Sequence, residues 1–445
     1  MLGYYIIKKA SIAVLSICSE QEYEQNQEYR VSDFVIALKN EEGYLYHSCF
    51  TGELIEVTNI NLAQPYLVKH WFWVRRDIDE KNKIPHIKHL LRSLGQNFKP
   101  GYKTIEIVTT TNCNAQCFYC YEGLFKPTTM NKETAMKAID FITQKKISNE
   151  IHLKWYGGEP LMNMSVIDMI TKGLTDNGIT INSTMISNGF LFSKNVISKA
   201  KELWHLSNVR ITLDGTENIY NETKKYKSYS GSAFQKVINN IDSLLDNNIS
   251  VTIRLNIEEH NIQDVRLLLN ILCNKYRGNH QLDFMLRPLN NTDCNKEIES
   301  KGDNRNIILN EITLLKQQLF DDGFDVNCGK LSGMTFYTCV ADSGRYIIIT
   351  PNGELAYCSV DFDRKVFGSI YDKLQKVSYP ELGKHIYNKD KICDDCPIYP
   401  LCNPSKLCPS CTKPICNKTE KEYNVSDIIL TMKKTFRNYK LTNKI

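Results

Sequence analysis

The sequence predicts an α/β fold built around a partial barrel of six parallel strands, (β/α)6, with a small α+β domain before it and a cysteine-rich domain after it. Strand-like and helix-like segments alternate regularly from Tyr102 onward, which is typical of parallel βαβ units. A length of 445 residues exceeds one ordinary core and favours two or three domains. Near residue 326 the composition changes to Cys, Pro, Gly and Asp. We therefore expect domains at 1–100, 101–325 and 326–445.

The composition excludes several classes of protein. Hydrophobic residues make up 42% and charged residues 24% of the chain, as in globular proteins, and the net charge is only +5. No Arg-rich run predicts nucleic-acid binding, and no apolar run reaches the length of a membrane span. The apolar run Ala10–Cys18 lacks a small residue before Cys18, so it predicts a buried strand rather than a cleaved signal segment. We expect a cytoplasmic protein.

The first domain is predicted from hairpin patterns. Asp33–Leu38 and Tyr44–His47 alternate as strands around a turn at Asn40–Gly43, and Glu53–Val57 continues the sheet. Helical periodicity follows over Ile84–Leu94. These patterns fit either a packing extension of the barrel or a peptide-docking module.

The barrel is predicted from strands separated by helical periodicity. The strands are expected at Ile105–Thr109, His152–Tyr156, Thr180–Ile186, Val209–Leu213, Val251–Ile257 and Leu282–Leu286. The helices are expected at Asn131–Lys145, Lys194–Leu203, Ala233–Asp246 and Asp264–Lys275, with a last helix of the chain near Val425–Tyr439. Because parallel barrels gather their chemistry at the C-terminal ends of strands, the residues that follow each strand are candidate site residues.

Three cysteines after the first barrel strand predict a metal centre. Cys113, Cys117 and Cys120 have the spacing CxxxCxxC, which offers three thiolates to a cluster that needs four ligands. One iron then keeps an open position for an exogenous ligand, as catalytic metal sites do. From the spacing alone, a zinc site completed by a distant His or Cys is the alternative.

The turn after the second strand is a candidate ligand-binding segment. Gly157 and Gly158 allow the backbone to approach a ligand closely, since neither carries a Cβ atom. Glu159, which precedes Pro160, is able to accept hydrogen bonds from an ammonium group.

The next three strands also end in polar residues. Ser187 and Asn188 follow the third strand, and Asp214 follows the fourth, where an ordinary Asp-Gly turn is the alternative. Arg254 and Asn256 share one face of the fifth strand because side chains alternate. Arg254 suits a carboxylate ligand as a bidentate donor, with a buried ion pair as the alternative.

A second group of cysteines lies in the C-terminal region. Thirteen residues, Gly353 and four further residues separate Cys339 from Cys358, and a run with CxxC spacing follows. The further candidate metal ligands are Cys393, Cys396, Cys402, Cys408, Cys411 and Cys416. The paired CxxC form also fits a zinc ribbon. A loop-rich segment of this kind has too little apolar core to fold alone without metal.

These motifs together resemble the radical SAM superfamily, in the peptide-modifying branch that carries a SPASM extension. The resemblance implies that Cys113, Cys117 and Cys120 hold a [4Fe–4S] cluster whose open iron binds S-adenosylmethionine (SAM). It also implies that the following residues contact SAM: Tyr119, Gly157, Gly158, Glu159, Pro160, Ser187, Asn188, Arg254 and Asn256. Tyr119 holds the place of the family's aromatic residue beside adenine.

The SPASM resemblance implies two auxiliary [4Fe–4S] clusters, and therefore three clusters in all. It departs at Lys406, where the pattern has a thiol and the next cysteine is Cys408. The first auxiliary cluster would take Cys339, Cys358 and Cys408, with Cys328 or Cys411 as the fourth ligand or with an open iron. The second would take Cys393, Cys396 and Cys402 with Cys416 or Cys411. Small core positions or exposed thiols are expected for Cys18, Cys49, Cys273 and Cys294.

The resemblance implies a peptide maturase of the sactipeptide or ranthipeptide type. Such an enzyme binds the leader of a ribosomally made precursor as an added strand on a winged-helix-like N-terminal domain. An electron from a flavodoxin or ferredoxin cleaves SAM, and the 5′-deoxyadenosyl radical abstracts hydrogen from the peptide before a crosslink such as a thioether forms. The alternatives are an anaerobic sulfatase-maturing enzyme that makes formylglycine and a zinc-binding scaffold protein.

Overall fold

A computed structural model describes residues 2–11, 22–84, 86–87, 90, 101–120, 126–227, 229–289, 302–329, 331–334, 345–358, 366–372, 396–401 and 416–443. The chain forms two compact units. One combines Met1–Phe98 with Cys328–Cys339 and Leu382–Ile445, and the other combines Lys99–Asn327 with Val340–Glu381. Each unit therefore joins segments that are distant in sequence. The boundaries expected at 100 and 325 remain predictions.

The N-terminal part of the first unit contains an antiparallel sheet and a helix, and residues 80–84 and 86–87 are helical as well. Its elements are β1 (Tyr4–Lys8), β2 (Tyr29–Val31), β3 (Val35–Lys39), β4 (Tyr44–Ser48), β5 (Leu54–Val57), α1 (Ile60–Lys69) and β6 (Trp73–Arg75). The main sheet has the order β1-β5-β4-β3, while β2 pairs with β6. The predicted hairpin is confirmed, and β1 and β3 are the sheet edges. Asn59 caps α1 by accepting from two backbone amides at its start.

The predicted parallel strands and their helices are confirmed in the second unit. The strands are β7 (Thr104–Thr110), β8 (Glu150–Gly157), β9 (Thr180–Ser187), β10 (Leu206–Thr212), β11 (Ser250–Ile257) and β12 (Leu282–Pro288). The helices are α2 (Lys132–Lys145), α3 (Met164–Asp176), α4 (Lys194–Glu202), α5 (Glu217–Lys224), α6 (Ala233–Asp246), α7 (Ile262–Tyr276) and α8 (Gly302–Asp321). Of these helices, α3, α5 and α8 were not predicted.

The sheet of the second unit extends beyond the six predicted strands. At one end β13 (Asp325–Val326) pairs with β12. At the other end β14 (Tyr346–Ile349) runs parallel to β7 and is followed by antiparallel β15 (Glu354–Ala356) and β16 (Val366–Ser369). Among the described residues the sheet therefore runs from β13 to β16 in one series of ten strands. The carboxyl ends of β7 to β12 meet at one edge, because these six strands are all parallel.

The last helix, α9 (Lys418–Asn443), is longer than predicted and belongs to the first unit. Its Met432 joins the core in which Phe34, Trp71 and Leu331 are also buried. The core of this unit is therefore completed by residues from the two ends of the chain. Among the described helices, none is long and apolar enough to cross a membrane.

Candidate active site

The cysteine loop follows β7, where the sequence places it. The thiols of Cys113, Cys117 and Cys120 are partly exposed, and Cys113 Sγ accepts the backbone amide of Ala115 at 3.4 Å. Burial is the main cause that raises the pKa of the Cys113 thiol to about 11, and Glu159 and the other two thiols act in the same direction. The three thiols thus lie within electrostatic range of one another. A bound metal would remove their protons outright.

The glycines at the end of β8 lie against the cysteine loop. A Cβ atom on Gly158 would stand 2.4 Å from the carbonyl oxygen of Asn112 and 2.6 Å from that of Thr111. Gly157 has φ of +131°, and a Cβ atom there would meet Thr110 O at 2.1 Å. The sequence predicts that these glycines also allow close approach to a ligand, and that contact stays a prediction. In the structure the glycines let the backbone of one strand end pack on that of the next.

Glu159 is fully buried and joins two strand ends. Its carboxylate accepts from the Ser187 hydroxyl at 3.0 Å, from the Asn188 amide at 2.9 Å and from the Leu161 amide at 3.1 Å. Burial raises the pKa of Glu159 to about 7, although these hydrogen bonds act to lower it. Pro160 follows in the first turn of a short 3₁₀ helix. Two predicted SAM contacts, Glu159 and Ser187, therefore bond each other, and their contact with SAM stays a prediction.

Asn188 connects the third strand end to the cysteine loop. Its amide nitrogen lies 3.7 Å from Cys113 Sγ and donates to the side-chain oxygen of Asn114 at 2.7 Å. Its carbonyl oxygen accepts from the Tyr226 hydroxyl at 3.3 Å, and the Tyr226 ring stacks on Phe190. The segment after α5 is therefore fixed beside Cys113.

A buried ionic network connects the cysteine loop to the fourth strand end. The Tyr119 hydroxyl bonds the Asp214 carboxylate, and the Lys224 ammonium group donates to Tyr119 at 2.7 Å and to Asp214 at 3.0 Å. Gln116 donates its backbone amide to the carbonyl oxygen of Lys224 at 2.8 Å. Asp214 is thus more than an ordinary turn residue. The role of Lys224 was missed because α5, which it ends, was not predicted.

The predicted pair on the fifth strand shares one face. Arg254 donates through Nε to the side-chain oxygen of Asn256 at 2.9 Å. The backbone amide of Asn256 donates to Asp214 at 3.2 Å. Residues from four strand ends and the cysteine loop therefore form one connected polar region.

The C-terminal cysteines are described only in part. Cys358 follows β15 in the second unit, whereas Cys328, Cys396 and Cys416 belong to the first. Cys396 shares a hydrophobic core with Cys49. Burial is the main cause that raises the pKa of the Cys49 thiol, and the nearby Cys396 thiol raises it further. The predicted ligands outside the described residues are Cys339, Cys393, Cys402, Cys408 and Cys411. Their metal binding, and that of the described members, stays a prediction.

Residues 107–272 match the family model of the Radical SAM superfamily. These residues are a radical SAM domain. The match begins in β7 and ends in α7, so it contains the cysteine loop and every strand end described above. A radical SAM domain implies a [4Fe–4S] cluster and SAM.

Two curated proteins resemble parts of the chain. An uncharacterized protein of Methanocaldococcus jannaschii is 33% identical over 119 residues, which are 26% of this chain and 40% of that protein. The radical SAM cyclopropyl synthase TigE of Paramaledivibacter caminithermalis is 23% identical over 163 residues, which are 33% of each chain. The chain therefore spans well under two thirds of the length of these relatives.

Solved structures share the fold over more of the chain. anSMEcpe with bound AdoMet has a TM-score of 0.58 at 16% identity and covers 76% of this chain and 98% of its own. Streptococcus suis SuiB bound to the precursor peptide SuiA has a TM-score of 0.51 at 13% identity and covers 85% of this chain and 95% of its own. At these identities the likeness establishes the fold of the radical SAM domain and nothing finer.

The residues around the cysteine loop fit an iron–sulfur cluster. A cubane takes one thiolate at each iron, and three thiols lie at one strand end within electrostatic range of one another. Among the described residues, no three His, Cys, Asp or Glu side chains are gathered as ligands of a single metal ion. The three thiols of the cysteine loop are nevertheless the kind of donor that iron–sulfur clusters require.

Proposed function

We propose that the protein is a radical SAM peptide maturase that installs a crosslink, such as a thioether, in a ribosomally made precursor peptide. The observation that carries the radical SAM chemistry is the polar network between the cysteine loop and the strand ends. Asn188 reaches Cys113, and Lys224 reaches Tyr119 beside Cys120. Such a network fixes a loop that must keep its three thiols in place.

In this proposal Cys113, Cys117 and Cys120 hold the cluster. SAM lies beside Tyr119, Gly157, Gly158, Glu159, Pro160, Ser187, Asn188, Arg254 and Asn256. The bound cluster and SAM together supply the radical that abstracts hydrogen. The chain itself orients the reactants: Glu159 holds the turn at Ser187 and Asn188, while Asp214 and Lys224 fix the Tyr119 ring.

The C-terminal cysteines complete the proposed set of three [4Fe–4S] clusters. The auxiliary ligands are Cys339, Cys358, Cys393, Cys396, Cys402, Cys408, Cys411 and Cys416, with Cys328 as a further candidate. Lys406 leaves the first auxiliary cluster short of one thiolate, so a substrate thiolate would be able to bind its open iron. A flavodoxin or ferredoxin is the proposed electron donor.

The peptide substrate is proposed to bind the N-terminal sheet. Its edge strands, β1 and β3, offer backbone groups for an added strand, the mode in which many peptides are recognised. SuiB has been solved with a precursor peptide, and anSMEcpe with bound peptides. These likenesses support a peptide as the substrate class.

The chemistry is tested by SAM cleavage in anaerobically reconstituted protein. The native protein should form 5′-deoxyadenosine with a low-potential reductant. The combined change Cys113→Ala, Cys117→Ala and Cys120→Ala should abolish the product and lower iron content by about one third, one cluster of three. The matched change Cys273→Ala removes a buried thiol on α7 and should leave both unchanged. A zinc-loaded, colourless native protein that does not cleave SAM would refute the proposal.

The type of maturation is tested by the mass of the product. Co-expression with short reading frames encoded beside the enzyme should yield a peptide lighter by two hydrogen atoms for each crosslink. Fragmentation should then fail between the two joined residues. Formation of an aldehyde that reacts with hydroxylamine would instead favour the sulfatase-maturing alternative.

A further inference from the structure

Lys224 carries a positive charge in the interior, beside the cysteine loop. Only 3% of its side chain is exposed, and its ammonium group donates to the Tyr119 hydroxyl at 2.7 Å and to the Asp214 carboxylate at 3.0 Å. The ammonium group also lies 5.3 Å from the centre of the Tyr119 ring. Tyr119 stands between the second and third cysteines of the loop. A charge fixed at this depth is screened little by salt and water.

The electrostatic interactions of Lys224 extend to the cysteines. Burial opposes its charged form, but Asp214 and then Tyr119 raise the pKa of Lys224 well above the usual value. The Cys117 thiol acts in the same direction, so it lies within electrostatic range of the ammonium group. Charges interact more strongly in the interior than in water, because the effective dielectric constant is lower there. The charge of Lys224 therefore acts on a cluster that Cys117 would hold.

Asp214 carries the opposite charge, but it is anchored to the strand ends. Its side chain accepts from the Asn256 backbone amide at 3.2 Å, and its carbonyl oxygen accepts from the Asn261 side chain at 3.0 Å. Lys224 is anchored to the cysteine loop, since its carbonyl oxygen accepts from the Gln116 amide at 2.8 Å. These contacts favour an arrangement in which the cation is the nearer of the two charges to the cysteines.

Two further charged groups lie near the first cysteine. Lys227 donates its ammonium group to the Cys113 carbonyl oxygen at 3.1 Å, but this lysine is exposed, so water screens its charge. The buried Glu159 carboxylate lies within electrostatic range of the Cys113 thiol. Both groups remain in every variant at Lys224. A difference between such a variant and the native protein therefore reports on Lys224 itself.

We propose that Lys224 raises the reduction potential of the cluster bound by the cysteine loop, so that the electron donor reduces this cluster more easily. This inference rests on the proposed radical SAM chemistry. A cluster that accepts one electron becomes more negative by one charge, and a buried cation within range stabilises the more negative state. Net charge and hydrogen bonding near the sulfur ligands are among the properties that set the reduction potentials of iron–sulfur clusters.

The reduction potential is measured by a redox titration of anaerobically reconstituted protein, followed by EPR. The signal that is absent from the combined variant Cys113→Ala, Cys117→Ala and Cys120→Ala belongs to the cysteine loop. At the native midpoint potential, the ratio of reduced to oxidised cluster in Lys224→Met should fall from one to about one tenth, a shift of about 59 mV for one electron. An unchanged or raised reduction potential in Lys224→Met would overturn the inference.

The sign of the shift separates this electrostatic role from a merely structural one. A loop loosened by the substitution would admit water, and water stabilises the more highly charged, reduced cluster. A structural role alone therefore predicts a higher reduction potential in Lys224→Met, opposite to our expectation. Lys224→Arg keeps the charge and should hold the ratio within about threefold of the native one. A loss in Lys224→Arg as large as in Lys224→Met would contradict the role of the charge.

Lys199→Met is the matched control. It removes a lysine whose ion pair with Asp168 is half exposed and joins α3 to α4. Because solvent screens this pair, the reduction potential of the cluster should stay at the native value. An equal fall in Lys199→Met would show a general effect of net charge and overturn the assignment to Lys224.

A double variant keeps the test decisive if Lys224→Met does not fold. Lys224→Met combined with Asp214→Asn removes both charges, so no unpaired charge is left in the interior. If the cation lies nearer to the cluster than the carboxylate does, the reduction potential should still fall, by less than in Lys224→Met. A reduction potential equal to or above the native value in the double variant would overturn the inference.

The titration also separates this inference from the proposed function. Native protein that forms 5′-deoxyadenosine, with a cluster potential that Lys224→Met leaves unchanged, would keep the radical SAM chemistry and lose only the role of Lys224. Native protein without any EPR signal from the cysteine loop would refute the proposed chemistry and, with it, this inference.

Discussion

Lys224 is a buried cation whose ammonium group contacts the hydroxyl of Tyr119 and the carboxylate of Asp214. Although burial opposes its charged form, Asp214 and then Tyr119 raise the pKa of Lys224 well above the usual value. The side chain is therefore charged at neutral pH. One lysine thus holds the fourth strand end to the cysteine loop.

Removing this cation should destabilise the barrel strongly. Lys224→Met leaves Asp214 as a buried carboxylate without its ion-pair partner, and breaking such a pair costs roughly 3–5 kcal/mol. Lys199→Met is the matched control, because its ion pair with Asp168 is half exposed and should contribute at most about 1 kcal/mol. The free energy of unfolding from urea titrations measures both. Equal losses in the two variants would contradict the structural role of Lys224.

A second buried group makes stability depend on pH. Burial lowers the pKa of His47 from 6.5 to about 4, so the folded state binds fewer protons than the unfolded state between these values. Stability contributed by neutral His47 is present above pH 6.5 and is lost as the pH falls toward 4. Through this one group the free energy of unfolding changes by at most about 1.4 kcal/mol per pH unit.

His47→Gln should flatten this dependence in the first unit. Between pH 7 and pH 5 the native protein should lose up to roughly 2 kcal/mol more than the variant, in urea titrations followed by a probe of that unit. His205→Gln is the control on the other unit. If both variants keep the native slope, another group carries the acid sensitivity.

The chemistry of single residues was predictable where spacing or alternation fixes it. CxxxCxxC predicted the cysteine loop, and alternation predicted that Arg254 and Asn256 share a face. Burial of Lys224 was not predictable, because a lysine at a helix end is ordinarily exposed and only the folded network reverses that.

At the scale of elements, the parallel strands and most helices were predictable to within a few residues. Alternating buried and exposed positions identified β8, and helical periodicity identified α6. Helix α5, Glu217–Lys224, was missed because it is only 8 residues long and mostly polar. Strand β14 was missed because its pairing with β7 joins distant parts of the chain.

The close packing of β8 on the cysteine loop gives a test at this scale. Gly158→Ala would place a Cβ atom within 2.6 Å of two backbone oxygens, at Asn112 and Thr111, so the loop must shift. We expect a loss of roughly 1–3 kcal/mol in stability and weaker retention of the cluster bound by the cysteine loop. Iron content and the cluster EPR signal measure retention.

Gly368→Ala is the control for this prediction. A Cβ atom on Gly368 would meet its nearest neighbours at 3.8 Å and 3.9 Å, which is ordinary contact. The control should therefore bind iron as the native protein does. Native-like iron content in Gly158→Ala would show that the loop tolerates the added atom.

The edges of the N-terminal sheet give a second test at this scale. If a leader peptide adds a strand, backbone amides of β1 or β3 should exchange more slowly with solvent when full-length precursor is present. The inner strands β4 and β5 are the internal control, because both of their sides are already paired. A core peptide without its leader should give no protection. Unchanged exchange at both edges, with the precursor bound, would contradict the docking proposal.

At the scale of the whole molecule, the compact units do not follow one another along the chain as the composition indicates. The change of composition near residue 326 favours successive domains, but contacts combine Met1–Phe98 with Leu382–Ile445. Core residues of this unit come from β3, near the start of the chain, and from α9, near its end. Deleting residues 1–95 would therefore strip α9 of apolar partners, and such a truncation would not isolate the docking function. Composition changes mark segments, whereas only contacts show which segments fold together.

The pairing of β7 with β14 has a consequence for protein synthesis. Glu106 and Tyr346, which bond each other across these strands, are separated by 240 residues. At about 5–20 residues per second, a ribosome needs roughly 10–50 s to make the intervening chain. Throughout that time one side of β7 is an open strand edge, a template for association with other nascent chains. The yield of folded protein should accordingly follow the chaperone capacity of the host cell and the rate of translation, even for variants that raise the final stability.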